Sequence, residues 1–222
     1  GQAANGSELH HAIFKGGSGF KGDLFEYSGM LSIHDVTDVL LADCHFMDNN
    51  IVDDMVHIVY ADATFERCTF ERSLMDALDI DISTASVANC RFVDSGNDAL
   101  DLMDSQVTVT DTILEKSGDK GISVGEGSRL LAINDRLKGN QIGIQVKDGS
   151  AAALYNLDFI DNKIALDAYK KNWRYDSGGK ALIDKSYFSN NEKLLTADKN
   201  SRLYVYDSYM NALSAGHKKR IV

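Results

Sequence analysis

The sequence DALDIDI at residues 76–82 returns as DALDLMD at residues 98–104, which lies 22 residues further along the chain. The same register continues in four other stretches: DMVHIVY at 54–60, KGISVGE at 120–126, IGIQVKD at 142–148 and IALDAYK at 164–170. Repetition at a fixed interval of this size is typical of a solenoid, in which each repeat stacks on the next. We therefore expect residues one interval apart to be spatial neighbours, so that a site can be sought along the columns of the repeat.

Each repeat predicts β-strands, because apolar residues alternate with polar ones. The first strand has two inward columns, which begin with Val56, Leu78, Leu100 and with Ile58, Ile80, Leu102. A second strand follows, and a third short segment has the pattern Cys-x-Phe at residues 44–46, 68–70 and 90–92. The pattern predicts an all-β fold, a single right-handed parallel β-helix solenoid with about 22 residues per coil and roughly seven to eight coils.

Two other repeat architectures fit the sequence less well. A helical tetratricopeptide repeat needs about 34 residues and helical periodicity, and neither is present. A leucine-rich repeat has a suitable length, but its LxxLxLxxN signature is missing.

The repeat also divides the chain into parts. We expect an N-terminal cap and first partial coil at 1–30, the β-helix at 31–213 with an insertion at 170–179 that breaks the period, and a C-terminal tail at 214–222. From its first residues, GQAANGSELHH, we also expect the chain to be part of a larger protein.

Composition excludes some functions and leaves others open. The formal net charge of −10 argues against nucleic-acid binding, which requires a basic surface. The chain has no apolar run of the roughly 18 residues that a membrane span needs, so no span is expected.

Cys44, Cys68 and Cys90 share one column of the repeat, where later coils have Thr or Ser. We expect core thiols, with a disulfide between Cys68 and Cys90 as the alternative.

The outward positions of the first strand gather carboxylates. One column contains His57, Asp79 and Asp101, and Asp81 lies in the column two residues further on. Neighbouring parallel strands place such side chains about 5 Å apart, where like charges raise a pKa or require a cation. Two uses would compensate for this cost: binding of calcium through carboxylate oxygens, or a pair of one protonated and one ionised carboxyl group.

The bend before this strand adds further charged groups. It carries Asp54, Asp76 and Asp98, then Lys120 in the following coil, while Lys147 stands at the far end of the same face. Because an acid before a tight bend can also cap backbone amides, a structural role is the alternative for this column.

The insertion follows the first strand of its coil. It contains Trp173, which is the single tryptophan of the chain, with Arg174 and Tyr175, and it begins after Tyr169. Aromatic rings beside polar groups suit sugar binding. We predict that these four residues and His57 contact a substrate, with packing of the loop against a coil edge as the alternative.

On these residues the chain resembles the right-handed β-helix, pectin-lyase-like superfamily, including NosD-type carbohydrate-binding repeats and the β-helix segments associated with CotH-like modules of bacterial surface proteins. The resemblance covers nearly all of residues 30–213. It implies a parallel β-helix and a polysaccharide partner.

Polygalacturonase-type glycoside hydrolases of that superfamily carry four motifs on successive coils. Asp76 matches the last residue of their Asn-Thr-Asp, Asp98 matches one Asp of their Gly-x-Asp-Asp, and Lys147 matches the Lys of their Arg-Ile-Lys. The segment at 117–121, SGDKG, stands where those enzymes have Gly-His-Gly, and it has no histidine.

We therefore expect an extracellular, cell-surface or periplasmic bacterial domain that acts on or binds a polysaccharide through its acidic outer face. In a hydrolase, Asp76, Asp98 and Asp101 would supply the acid and the base, and Lys147 would bind an acidic sugar.

A calcium-dependent lyase or epimerase is the second enzymatic possibility. Calcium on Asp79, Asp81 and Asp101 would neutralise a uronate, and Lys120 or Lys147 would remove the proton next to its carboxylate. The alternative to both enzymes is a non-catalytic glycan-binding module or structural spacer, and an adhesin or assembly role is a third possibility.

Overall fold

The computed structural model describes residues 2–51 and 53–212, and the predicted tail at 214–222 lies outside the described residues. The described chain is all-β apart from a short 3-10 turn at Gln2–Ala4. It winds as a right-handed solenoid of about eight coils, and short strands from each coil stack into three long parallel sheets. The predicted fold class, coil length and coil number are confirmed.

The strands follow one another coil by coil. The N-terminal half contains β1 (Glu8–His10), β2 (Ile13–Lys15), β3 (Phe20–Lys21), β4 (Glu26–Tyr27), β5 (Gly29–His34), β6 (Val39–Ala42), β7 (His45–Met47), β8 (Asp54–Val59), β9 (Asp62–Glu66), β10 (Thr69–Glu71), β11 (Leu78–Asp81), β12 (Thr84–Ala88), β13 (Arg91–Val93) and β14 (Leu100–Met103). The C-terminal half contains β15 (Gln106–Thr110), β16 (Ile113–Glu115), β17 (Lys120–Gly125), β18 (Arg129–Ile133), β19 (Arg136–Lys138), β20 (Ile142–Lys147), β21 (Ala151–Tyr155), β22 (Asp158–Ile160), β23 (Ile164–Tyr169), β24 (Lys180–Asp184), β25 (Tyr187–Asn191), β26 (Lys193–Ala197), β27 (Arg202–Tyr206) and β28 (Tyr209–Ala212).

Each coil contributes one strand to each sheet. The first sheet consists of β5, β8, β11, β14, β17, β20, β23 and β26. The second sheet consists of β1, β6, β9, β12, β15, β18, β21, β24 and β27, and the third of β2, β7, β10, β13, β16, β19, β22, β25 and β28. Within the first sheet, Leu78 lies beside Val56 on one side and Leu100 on the other, and all three are fully buried. The predicted columns are therefore columns of the real structure.

Aromatic rings stack inside the solenoid along its axis. The ring centroids of Phe14, Phe46, Phe70 and Phe92 follow one another at 5.0, 4.9 and 4.4 Å. Register explains the stack, because each Phe pairs with the Phe one coil away in the third sheet. Such stacking adds to the burial of apolar surface that holds the coils together.

The cysteine column lies inside the turn between the second and third sheets. Cys44, Cys68 and Cys90 are buried free thiols, as predicted. The amide of Cys68 donates to Cys90 Sγ at 3.3 Å, and the amide of Cys90 donates to Thr112 Oγ1 at 3.2 Å. Asp135, which sequence analysis left out of this column, accepts the amide of Thr112 at 2.8 Å. Most coils therefore have a small polar side chain that accepts the amide of the preceding coil, whereas Leu157 fills this position in one coil.

An asparagine ladder connects the C-terminal coils near the entry to the first sheet. The Nδ2 of Asn140 donates to Asn162 Oδ1 at 3.1 Å, and the Nδ2 of Asn162 donates to Asn191 Oδ1 at 2.9 Å. All three side chains are buried. Because each amide also bonds backbone of another coil, the ladder satisfies polar groups that water cannot reach.

Two segments interrupt the regular coils. The antiparallel hairpin β3–β4 lies between the first partial coil and the first sheet, and residues 170–179 form a long connection between β23 and β24. No helix within residues 2–51 and 53–212 has the length and apolar character needed to cross a membrane.

Candidate functional site

Acidic side chains crowd the first sheet near its N-terminal end: Asp79, Asp81 and Asp101 are half-buried on its outer side, and Asp54, Asp76 and Asp98 are buried at the bend before it. We call this surface the acidic face, and it consists of Asp54, His57, Asp76, Asp79, Asp81, Asp98 and Asp101. The register places Asp79 directly between His57 and Asp101 in neighbouring strands. Sequence analysis predicted this juxtaposition, and the structure brings the three side chains together.

His57 is the centre of a hydrogen-bonded chain. Ser28 Oγ donates to Asp54 Oδ2 at 2.5 Å and lies 2.7 Å from His57 Nδ1. Because the hydroxyl proton goes to Asp54, the Nδ1–H of His57 donates to Ser28. The other ring nitrogen, Nε2, then lies 3.3 Å from Asp81 Oδ2 and 3.6 Å from Asp79 Oδ2. A lone pair on Nε2 would repel the oxygen atoms of these two carboxyl groups. The contact is therefore favourable only when a proton lies between Nε2 and one of them.

Burial changes the acidity of Asp79. Removal from water, together with the neighbouring charges of Asp81 and Asp54, raises the pKa of Asp79 to about 9. Burial also raises the pKa of Asp54, although its bond to Ser28 opposes the shift. A carboxyl group that keeps its proton at neutral pH can donate it, so the face contains the elements of general acid catalysis.

Asp76 and Asp98 have backbone partners. Asp76 Oδ1 accepts the amide of Asp98 at 2.7 Å and the Nδ2 of Asn97 at 2.8 Å. Asp98 Oδ1 accepts the amide of Lys120 at 2.9 Å. Burial nevertheless raises the pKa of Asp76 to about 7, and that of Asp98 to about 6 despite the opposing charge of Lys120. Both acids cap the next coil, and both titrate in a range useful for proton transfer.

Lys120 forms ion pairs. Its ammonium group lies 3.3 Å from Asp98 Oδ1 and contacts Asp119. Burial alone would lower the pKa of Lys120, but the charges of Asp98 and Asp119 outweigh that effect and raise it. A lysine with a raised pKa holds its proton, so this geometry favours a counter-ion over a general base.

Lys147 lies folded against the sheet. It is buried, and its Nζ donates to Ser123 Oγ at 3.0 Å, one strand closer to the acidic face. The side chain crosses Gly125, where a Cβ atom would come within 2.5 Å of Lys147 Cε. Gly125 therefore makes the room in which the lysine lies.

The insertion lies at the far end of the first sheet. The amides of Lys171 and Asn172 donate to buried Asp148 Oδ1 at 2.7 and 2.8 Å, which holds its base. Trp173 is 83% exposed, so it does not pack down on the coil. The guanidinium of Arg174 lies 5.8 Å from the centre of the Trp173 ring.

The insertion is distant from the His57 chain. It follows β23, which is five strands from β8, a distance of about 24 Å at about 4.8 Å per strand. Tyr175 lies beside Gly149, and burial, with nearby acidic charges, raises the pKa of Tyr175 and of Tyr169. The predicted aromatic residues therefore adjoin a different part of the sheet from the acidic face.

Two groups of side chains within the described residues have the spacing of metal ligands. The ligand atoms of Asp54, His57 and Asp79 all lie within 4.8 Å of one another, and so do those of Asp53, Asp54 and Asp76. The calcium ligands expected from sequence, Asp79, Asp81 and Asp101, stay a prediction.

Sequence analysis missed Ser28 and gave Asp54 no role in a site. Ser28 precedes the first recognisable repeat, so periodicity could not place it beside His57. Asp54 shares its column with Asp76 and Asp98, and that signal was available.

A family model described as "Right handed beta helix region" matches residues 54–210. A search of curated proteins found no match. Solved structures similar to this chain include the periplasmic alginate epimerase AlgG, with 12% identity and a TM-score of 0.67; the match covers 93% of this chain and 61% of that chain. An alginate lyase from Paenibacillus sp. str. FPU-7 has 13% identity and a TM-score of 0.56, with 95% and 96% covered. PfbA, a surface adhesin of Streptococcus pneumoniae, has 12% identity and a TM-score of 0.60, with 96% and 67% covered. At these identities the likeness shows the shared fold.

Proposed function

Because the chain belongs to the family of right-handed β-helix proteins, we propose that it is a carbohydrate-active domain that acts on a polysaccharide along its acidic face. The observation that carries this proposal is the hydrogen-bonded chain from Asp54 through Ser28 and His57 to Asp81, with Asp79 Oδ2 3.6 Å from His57 Nε2. Similar solved structures include an alginate epimerase and an alginate lyase, which supports a polymer of this kind as the substrate class.

The acidic face has the groups that proton transfer on a sugar polymer requires. In hydrolysis, a protonated carboxyl group gives its proton to the glycosidic oxygen, while an ionised carboxylate removes a proton from the water that attacks the anomeric carbon. Asp76, Asp98 and Asp101 are our candidates for these two roles. Burial raises the pKa of Asp76 to about 7 and that of Asp98 to about 6, so both carboxyl groups can exchange a proton near neutral pH.

In an elimination or epimerisation, a base instead removes the proton next to a uronate carboxylate. Elimination then breaks the glycosidic C–O bond, whose oxygen leaves with a proton from an acid, whereas epimerisation returns a proton to the opposite face of the same carbon. The raised pKa of Lys120 disfavours it as that base, which leaves His57 and Lys147 as candidates. Calcium on Asp79, Asp81 and Asp101 would neutralise the uronate, since carboxylates from two neighbouring coils are the oxygen ligands that calcium prefers. Without a cation, a surface this acidic repels a uronate polymer.

We also propose that the substrate extends along the first sheet towards Tyr169, Trp173, Arg174 and Tyr175. Exposed Trp173 and the cation beside it offer a ring to stack on and a charge for an acidic sugar. A periplasmic enzyme and a surface adhesin are among the similar structures, which supports a periplasmic, cell-surface or extracellular location in bacteria.

The test is a product assay with a panel of neutral and uronate polysaccharides, with calcium or with chelator. Reducing ends with unsaturated products that vanish with chelator indicate a calcium-dependent lyase, and reducing ends alone indicate a hydrolase. Epimerisation is followed by NMR of the polymer. His57→Gln should abolish turnover. Asp158→Asn is the control, because Asp158 lies on the third sheet, where it bonds Arg136.

A non-catalytic glycan-binding module is the second candidate. The hydrogen bonds of Asp76 and Asp98 to backbone amides and the ion pairs of Lys120 favour it, because these contacts give the three residues a structural role. In that case the panel yields no product, while affinity electrophoresis still detects binding that His57→Gln weakens. Absence of both product and binding across the panel would refute the carbohydrate function.

A further inference from the structure

The hairpin β3–β4 has one aromatic side and one charged side. Phe20 lies opposite Tyr27, and Lys21 lies opposite Glu26, to which it is bound at 2.8 Å. The amide of Gly22 donates to Phe25 O at 2.8 Å and closes the turn. Because side chains alternate along a strand, Phe20, Phe25 and Tyr27 share the side opposite the ion pair.

These three rings are exposed although they touch one another. Their centroids follow at 5.6 Å from Phe20 to Phe25 and 5.6 Å from Phe25 to Tyr27. Phe20 remains 60% exposed, Phe25 55% and Tyr27 41%. Both phenylalanine rings pack on Gly22, where a Cβ atom would lie 3.1 Å from Phe25 and 3.4 Å from Phe20. The hairpin thus holds an ordered aromatic surface in contact with water.

The aromatic row continues into the acidic face. The ring of Tyr27 lies 5.0 Å from that of His34, which lies 5.4 Å from His57 at a near-perpendicular angle. His34 precedes His57 by one strand in the first sheet. A ligand held at His57 therefore needs only to extend past His34 to reach the hairpin.

An open pocket of about 640 Å³ lies between the hairpin and the first coil. Its lining includes the aromatic Phe20 and Tyr27, the apolar Leu31, and the polar groups of Ser32 and His34. This volume lies in the range of about 300–1,000 Å³ typical of small-ligand sites, and apolar walls with a few polar groups are their usual lining.

We propose that the hairpin and this pocket form a stacking subsite for a sugar ring of the polysaccharide, next to the His57 chain. The apolar side of a pyranose packs on the rings, while its hydroxyl groups face Ser32 and His34. The occupant is a saccharide rather than a protein, because the row joins the acidic face without a break and the lysine and glutamate of the hairpin cancel one another's charge. The proposal rests on the proposed function and extends the bound polymer past His57 onto the hairpin, at the end of the first sheet opposite the insertion.

The experiment measures the affinity of oligosaccharides of increasing length, prepared from whichever polysaccharide of the panel binds, by isothermal titration calorimetry. Phe25→Ala and Tyr27→Ala should each weaken binding of the longer oligosaccharides by about three- to tenfold, as loss of one ring contact predicts. Tyr27→Phe should retain affinity, since the ring remains. Leu24→Ala is the matched control, because Leu24 is 95% exposed at the turn of the same hairpin.

Thermal unfolding of each variant shows whether the fold is intact. The wild-type length series provides a second readout, with affinity rising once an oligosaccharide reaches the hairpin. Unchanged affinity in folded Phe25→Ala and Tyr27→Ala, or a flat length series, overturns the subsite even if His57→Gln abolishes binding. If the wild-type protein binds no member of the panel, the proposed function fails, and the subsite fails with it.

Discussion

Replacement of Asp135 by threonine should stabilise the protein at neutral pH and have little effect in acid. Asp135 is 1% exposed and occupies a column in which most other coils have Cys, Thr or Ser and the next coil has Leu157. Its Oδ1 accepts the amide of Thr112, whereas Oδ2 has no hydrogen-bond partner among the described residues. Burial raises the pKa of Asp135 from 3.8 to about 7.

The raised pKa of Asp135 decides at which pH the substitution stabilises the protein. A carboxyl group whose pKa is higher in the folded state favours folding while it is protonated, and stability is lost as the pH rises from 3.8 towards about 7. A difference of about three units corresponds to about 4 kcal/mol, at roughly 1.4 kcal/mol per unit. Threonine avoids this cost, because the hydroxyl of Thr112 donates to Thr110 O and accepts the amide of Cys90 in the neighbouring coil.

Urea denaturation at about pH 4.5 and about pH 8 measures the difference in the free energy of unfolding between Asp135→Thr and the wild type. We expect most of the gain of about 4 kcal/mol at the higher pH and a small change at the lower one. Asp94→Asn is the control, since Asp94 is exposed and should give no pH-dependent gain. An equal effect of Asp135→Thr at both pH values would refute the reasoning, because it would show that the carboxyl group does not titrate between them.

Three further changes test the packing of the solenoid. Asn162→Ala should lower the free energy of unfolding by about 2–4 kcal/mol in urea, because it leaves buried partners such as Asn191 and backbone groups unpaired; a loss below about 1 kcal/mol would contradict the ladder. Cys90→Ser should change stability by less than about 1 kcal/mol, since a hydroxyl can accept the same amide, and failure to fold would contradict this. Gly125→Ala should displace Lys147 and increase its acylation by an amine-reactive reagent, measured by mass spectrometry; unchanged labelling would show that the lysine does not lie across the glycine.

The regular part of the fold could be predicted because a solenoid converts sequence spacing into spatial contact. Leu78 contacts Val56 and Leu100 because strands of neighbouring coils pair in register. The same rule placed Asp79 between His57 and Asp101, so the centre of the acidic face was visible in the sequence.

The chemistry of the face could not be predicted in this way. The repeat places the backbone of Lys120 and Lys147, but side-chain rotamers decide that one pairs with Asp98 and the other crosses Gly125 to reach Ser123. A long side chain can reach several partners, and local packing selects among them.

By itself the sequence determined the right-handed β-helix, its columns and the acidic character of one outer surface, because each depends on the period of the repeat. The tertiary structure alone decided the parts that lie outside that period. Ser28 reaches His57 from a segment before the first recognisable repeat, and the hairpin at 20–27 carries its aromatic row to the same end of the sheet. Non-repeating segments are placed by their own turns and contacts, which spacing along the chain does not encode.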